Sequence, residues 1–115
     1  MIQVKFFVCQ PEGSIHMRLK GHAGYAPKGQ DLVCAGASTL AYTLGEAMER
    51  MYHQNMLRRC PRIEIGEGRA EIIAVPKAEY FQMALLAFWV VESGMCSLGM
   101  NFPGFVRVEE VMRCR

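Results

Sequence analysis

The stretch Gly21-His22-Ala23-Gly24-Tyr25-Ala26-Pro27-Lys28-Gly29-Gln30-Asp31-Leu32-Val33-Cys34-Ala35-Gly36-Ala37-Ser38 is where the chain changes its periodicity. Before it, apolar residues alternate with polar ones. After it, they recur at every third and fourth position. Residues 21–31 hold three glycines and a proline, which predicts a loop between a strand and a helix. The rest of the fold is read outward from this joint.

Towards the N-terminus, residues 14–20 place Ile15, Met17 and Leu19 on one face and His16, Arg18 and Lys20 on the other, the pattern of a half-buried strand. Residues 2–9 are apolar and β-prone, and Gln10-Pro11-Glu12-Gly13 makes the turn between the two, so the pair reads as a hairpin. Towards the C-terminus, Val33, Ala37, Leu40, Leu44, Met48 and Met51 predict a helix over about 32–55, with Asp31 as its N-cap. A second stripe on that helix, Cys34, Ser38, Ala41 and Gly45, is small enough to let another backbone approach. Residues 58–61 break the pattern. Two strands follow at 62–66 and 69–75 around the turn Gly66-Glu67-Gly68.

Pro76-Lys77-Ala78-Glu79 opens a second helix, expected to run to about Ser93 and to stop at Gly94. Its residues Tyr80, Phe81, Met83, Leu85, Leu86, Phe88, Trp89, Val90 and Val91 leave almost no polar face. Such a helix is expected to pack on two sides, the second being another subunit. Phe105, Val106, Arg107 and Val108 alternate within a last strand at about 104–111. The predicted order is β-β-α-β-β-α-β, a two-layer α+β domain over 1–115 with two helices packed on a mostly antiparallel sheet.

Composition narrows the classes of function. The 115 residues suffice for one domain, and 51% hydrophobic content builds a core without disulfides or structural metal. A net charge of +2 neither demands nor excludes a nucleic-acid partner. The start, Met1-Ile2-Gln3-Val4-Lys5-Phe6-Phe7-Val8, lacks the features of a signal peptide, and the apolar run at 84–91 is far shorter than the roughly 20 residues of a membrane span. A cytoplasmic protein without membrane association is expected. The cysteines, at 9, 34, 60, 96 and 114, are odd in number and show no paired spacing, and His16, His22 and His53 show no ligand spacing with them. Reduced thiols are therefore expected, with no metal and no cofactor.

The chemistry gathers at Cys34, which falls in the first turn of the first helix. Unpaired N–H groups and the helix dipole favour a negative charge there. A thiol of pKa ~8.5 is only about 3% thiolate at neutral pH, and a helix N-terminus with a nearby histidine is the usual means of raising that share. The same N–H groups would serve as donors to the oxyanion of a tetrahedral intermediate. His22 and Cys34 flank one loop, so the histidine is placed to act as general base. Gly24, Tyr25 and Gly29 belong to that loop, which is expected to close over a bound peptide. Each residue also has a plainer reading. Asp31 fits an N-cap as well as an orienting carboxylate. Ser38 either hydrogen-bonds in the site or bonds back to a helix carbonyl. Tyr25 either stacks on substrate or covers the core. The other four cysteines look structural.

Taken whole, residues 21–38 resemble the signature of the ribosomal-processing cysteine protease family, Prp, and the order of elements follows that family over nearly the full chain. The resemblance implies His22 as catalytic base and Cys34 as nucleophile, with Asp31 and Ser38 at motif positions of less defined role. It also implies a homodimer whose peptide substrate is a ribosomal protein precursor: a short N-terminal extension is removed from a bacterial large-subunit protein by cleavage after an aromatic pair. Direct nucleic-acid binding is not required for this. The competing reading is a non-catalytic ribosome- or RNA-associated binding module, carried by Arg58, Arg59 and Arg62 after the first helix and by Arg113 and Arg115 in the tail. No RNA-reading aromatic motif accompanies these arginines.

Overall fold

Alternation of apolar side chains decides which strands meet. The computed structural model describes residues 1–111; Arg113, Cys114 and Arg115 lie outside the described residues. Strands β1 (Ile2–Cys9) and β2 (Ser14–Lys20) form the expected antiparallel hairpin. Its register sets Val4 opposite Leu19, Phe6 opposite Met17 and Val8 opposite Ile15, so every one of these pairs lies on the buried face. The hairpin of β3 (Arg62–Gly66) and β4 (Arg69–Ala74) joins through β4, which pairs antiparallel with β2 and adds Ala70, Ile72 and Ala74 to the same face. Strand β5 (Val106–Val111) runs parallel to β1 at the opposite edge. The sheet order is β3-β4-β2-β1-β5.

Both helices cover the face that carries these apolar residues. Helix α1 (Leu32–His53) buries Val33, Ala37, Ala41, Leu44, Met48 and Met51, a stripe at the spacing of a helix face. Helix α2 (Phe81–Asn101) is entered through a short 3-10 turn at Ala78–Tyr80 and buries Ala84, Leu85, Phe88, Val91 and Met95. These residues and the strand residues form one core cluster. On the other face of the sheet Gln3, Lys5, Arg18 and Lys20 are exposed. The result is the two-layer α+β architecture with a mostly antiparallel sheet.

Two expectations about the helices are corrected. The second helix does not stop at Gly94 but continues to Asn101. Gly94 is a contact residue: a Cβ there would lie 2.7 Å from Leu40 Cδ2, so its missing side chain lets α1 and α2 approach. The helix ends instead before Pro103, which cannot continue it. The small stripe on α1 also works differently. Gly45 lies over the side chains of Ile63 and Ile72, while the close approach to α2 is made by Gly36, against Leu98, and by Leu40.

Helix α2 keeps an apolar outer surface, with Met83, Leu86, Trp89 and Val90 exposed. Together with the 3-10 turn, residues Ala78–Asn101 are long and apolar enough by length and composition to cross a membrane. In this fold the opposite side of that helix is packed into the core through Phe88 and Met95, both fully buried.

Candidate active site

Gly21 sets the site up. It has φ +99°, and a Cβ would sit 2.4 Å from the Met1 carbonyl oxygen, so only glycine turns the chain here as β2 ends. Its N–H donates to the Gly68 carbonyl at 2.9 Å, tying the end of β2 to the β3–β4 turn. His22 follows immediately and is exposed, its ring lying against Gly68.

Asp31 organises the other side. It is the N-cap of α1, and its Oδ1 accepts from the N–H groups of Val33 and Cys34, both at 3.0 Å. Its Oδ2 accepts from the N–H groups of Tyr25 at 3.0 Å and Ala26 at 3.4 Å. One carboxylate thus caps the helix and folds the loop back onto it. The Cys34 N–H above all, then those of Ala26 and Tyr25, hold its carboxyl below the usual carboxylate range. Among the described residues Asp31 makes no hydrogen bond to His22, so its contacts are those of a cap and loop clamp and not of a carboxylate orienting the imidazole.

This capping overturns one expectation. The Val33 and Cys34 N–H groups, read from sequence as oxyanion donors, are already engaged by Asp31. The Ala35 N–H bonds to the Asp31 carbonyl. An N-cap carboxylate takes the first-turn donors for itself. The donor that does meet the thiol comes from the loop: the Ala23 N–H donates to Cys34 Sγ at 3.3 Å.

Cys34 is half-buried, and it shares with His22 a cavity of about 470 Å³. Asp31 and Ser38 line the same cavity, as do the loop glycines Gly24 and Gly29. Its floor includes Ile2, Leu19, Ile65 and Ala70, so a polar rim stands over an apolar base. No hydrogen bond joins His22 to Cys34 among the described residues, a spacing that often tightens only with substrate bound. Ser38 is exposed at the cavity wall, and the back-bonding to helix carbonyls is done by its neighbours Thr39 and Thr43. Tyr25 does not line the cavity. Its ring meets Phe102 and Phe105 edge-on, with centroids 5.1 and 5.2 Å away, and so anchors the loop to the end of α2 and the start of β5.

A second anchor is the ion pair of Lys28 with Glu67, at 2.9 Å, which ties the loop tip to the β3–β4 turn. The Lys28 ammonium, first by hydrogen bond and then by charge, draws the Glu67 carboxyl below its ordinary range, and His22 adds to this. From sequence alone, Gly66-Glu67-Gly68 reads only as a hairpin turn. Its place beside His22 comes from the β2–β4 register, which sets Lys20 opposite Arg69. No local signal in the sequence marks it.

Residues 1–106 match the family described as cysteine protease Prp. The chain belongs to the Prp cysteine protease family. No curated protein matches it. Among solved structures it is similar to an essential ribosomal processing protease Prp from S. aureus in complex with a covalently linked product peptide. That match has a TM-score of 0.73 and 23% identity, over 96% of this chain and 99% of that one. The same S. aureus protease in complex with a substrate peptide gives a TM-score of 0.67 at 22% identity, over 96% and 99%. SMU.848 from Streptococcus mutans gives 0.68 at 27% identity, over 97% and 95%. A Prp-family protease needs a thiol to attack and a base to move the proton, and in this fold a thiol and an imidazole open into one cavity.

Proposed function

We propose that this protease removes the short N-terminal extension of a large-subunit ribosomal protein in the bacterial cytoplasm, cutting after an aromatic pair, and that it works as a homodimer. The observation that carries the reading is that His22 and Cys34 line one cavity with an apolar floor, with the Ala23 N–H donating to the thiol. The S. aureus relative is seen in complex with a substrate peptide and with a covalently linked product peptide. An aromatic side chain suits a floor of Ile2, Leu19, Ile65 and Ala70.

In the proposed reaction His22 takes the Cys34 proton and the thiolate attacks the scissile carbonyl, forming the C–S bond. The oxygen then carries the negative charge beside Sγ, where the Ala23 N–H already donates to the sulfur and is a backbone donor at hand. Collapse of this intermediate breaks the C–N bond as His22 protonates the leaving amine. Water, deprotonated by His22, then attacks the thioester and releases the acyl product.

The RNA-module reading receives less support. Arg59 pairs with Glu12, and Arg62 pairs with Glu64 and Glu71, so much of that basic cluster is neutralised locally. The test is mass spectrometry of the host's extended ribosomal protein after incubation with wild type or Cys34→Ala. Cleavage after the aromatic pair by wild type alone is expected. Cleavage by both proteins, or by neither, counts against the reading.

A further inference from the structure

Gly24, Gly29 and Gly68 all have positive φ near the site, yet they differ in what surrounds them. A Cβ on Gly24 or Gly29 would meet nothing within 4 Å, so those two glycines serve backbone conformation alone. A Cβ on Gly68 would lie 2.7 Å from His22 Nε2, 3.0 Å from Cε1 and 3.4 Å from Cδ2. The bare α-carbon of Gly68 is the surface on which the imidazole rests.

We propose that Gly68 is a positioning residue: the β3–β4 turn fixes the direction of the His22 ring by leaving room for it where any side chain would push it aside. This rests on the reading of His22 as the base for Cys34.

Two features make the ring, and not the turn, the part that yields. The Gly68 backbone lies in the turn closed by the Gly66–Arg69 pair and is held by the Gly21 N–H, which donates to its carbonyl at 2.9 Å. The imidazole is exposed and rotates about two bonds. The three crowded atoms are Nε2 and its two carbon neighbours, so the clash centres on a ring nitrogen, an atom that can carry the proton. A displaced ring costs the fold little and the reaction much, because small misplacements of a general base slow the chemical step steeply.

Gly68→Ala and Gly68→Asn test this together. Both add a Cβ, but asparagine accepts φ +70° with far less strain than alanine. Steady-state kinetics on the precursor peptide are measured, with thermal unfolding and the pH dependence of Cys34 alkylation by iodoacetamide, read by mass spectrometry on the Cys34 peptide. His22→Ala provides the reference profile. The expected result is that kcat falls at least about tenfold in both variants, with KM within about twofold. Their alkylation profiles move towards that of His22→Ala. Full activity with a wild-type profile in either variant overturns the proposal. So does loss in Gly68→Ala that Gly68→Asn restores, since strain would then be the cause, and so does failure of both variants to fold. If His22→Ala itself leaves the alkylation profile of wild type unchanged, the Cys–His reading falls first, a different outcome from Gly68 variants that match wild type while His22→Ala departs from it.

Discussion

Asp31 is the residue on which the site most depends without touching the chemistry. One oxygen caps α1 and the other gathers the loop through Tyr25 and Ala26. Asp31→Asn keeps a single accepting oxygen. It is expected to retain the helix cap, lose the loop clamp, and lower kcat/KM by about tenfold with little change in Tm. Asp31→Ala loses both functions and lowers Tm as well. Steady-state kinetics beside thermal unfolding separate the two, and equal Tm losses in both variants would contradict the division of labour. The pH dependence follows from the same bonds. The folded carboxyl titrates below its unfolded value, chiefly because of the Cys34 N–H, so its stabilisation is complete at neutral pH. That stabilisation is lost as pH falls through the folded value, and the acid limb belonging to it is absent in Asp31→Asn. His22, Asp31 and Cys34 were all legible from residue type and spacing around one loop. Which donors face the sulfur was not, because an N-cap and an oxyanion donor compete for the same N–H groups and only the folded geometry shows which wins.

At the scale of elements, the helix seam shows where periodicity misleads. Gly94 has the look of a stop signal, since glycine terminates helices more readily than it continues them. Here the cost of keeping it within α2 is offset by close packing on Leu40. Gly94→Ala gains roughly 0.8–1 kcal/mol of helix propensity but overpacks Leu40, a penalty of about 1–3 kcal/mol. The expected net effect is a loss of roughly 1 kcal/mol in urea unfolding. In a Leu40→Ala background the crowding is gone, and the same substitution is expected to stabilise. If Gly94→Ala destabilises equally in both backgrounds, the seam is not the reason for the glycine. The strands posed no such conflict. The apolar, β-prone run 2–9 told its identity, and alternation in 14–20 told both its identity and its buried face, because a half-buried strand leaves a direct period-two record in its residues.

For the whole molecule, the outer side of α2 sets the prediction. Leu86 and Val90 are 57% and 62% exposed, with Met83 and Trp89 beside them. An apolar stripe of this kind on a chain of 13.0 kDa fits the proposed homodimer. Sedimentation is expected to show a dimer at micromolar concentration, and a double substitution Leu86→Glu and Trp89→Glu to yield folded monomer. A wild-type species of 13.0 kDa under those conditions removes the dimer from the account.

The sequence by itself determined the order of the elements, the buried face of β2, the cap of α1 and the placing of His22 and Cys34 at the two ends of one loop. Each of these depends on neighbours within a few residues, where residue type and period act directly. Only the tertiary structure decided that Gly68 and Glu67 belong to the site, that Ala23 supplies the N–H facing the thiol, and that Tyr25 anchors on Phe102 and Phe105. Those contacts depend on the β2–β4 register and on how α2 and β5 pack beside the loop. They join segments far apart in the chain, and no local periodicity records which distant turn or ring will meet a given side chain.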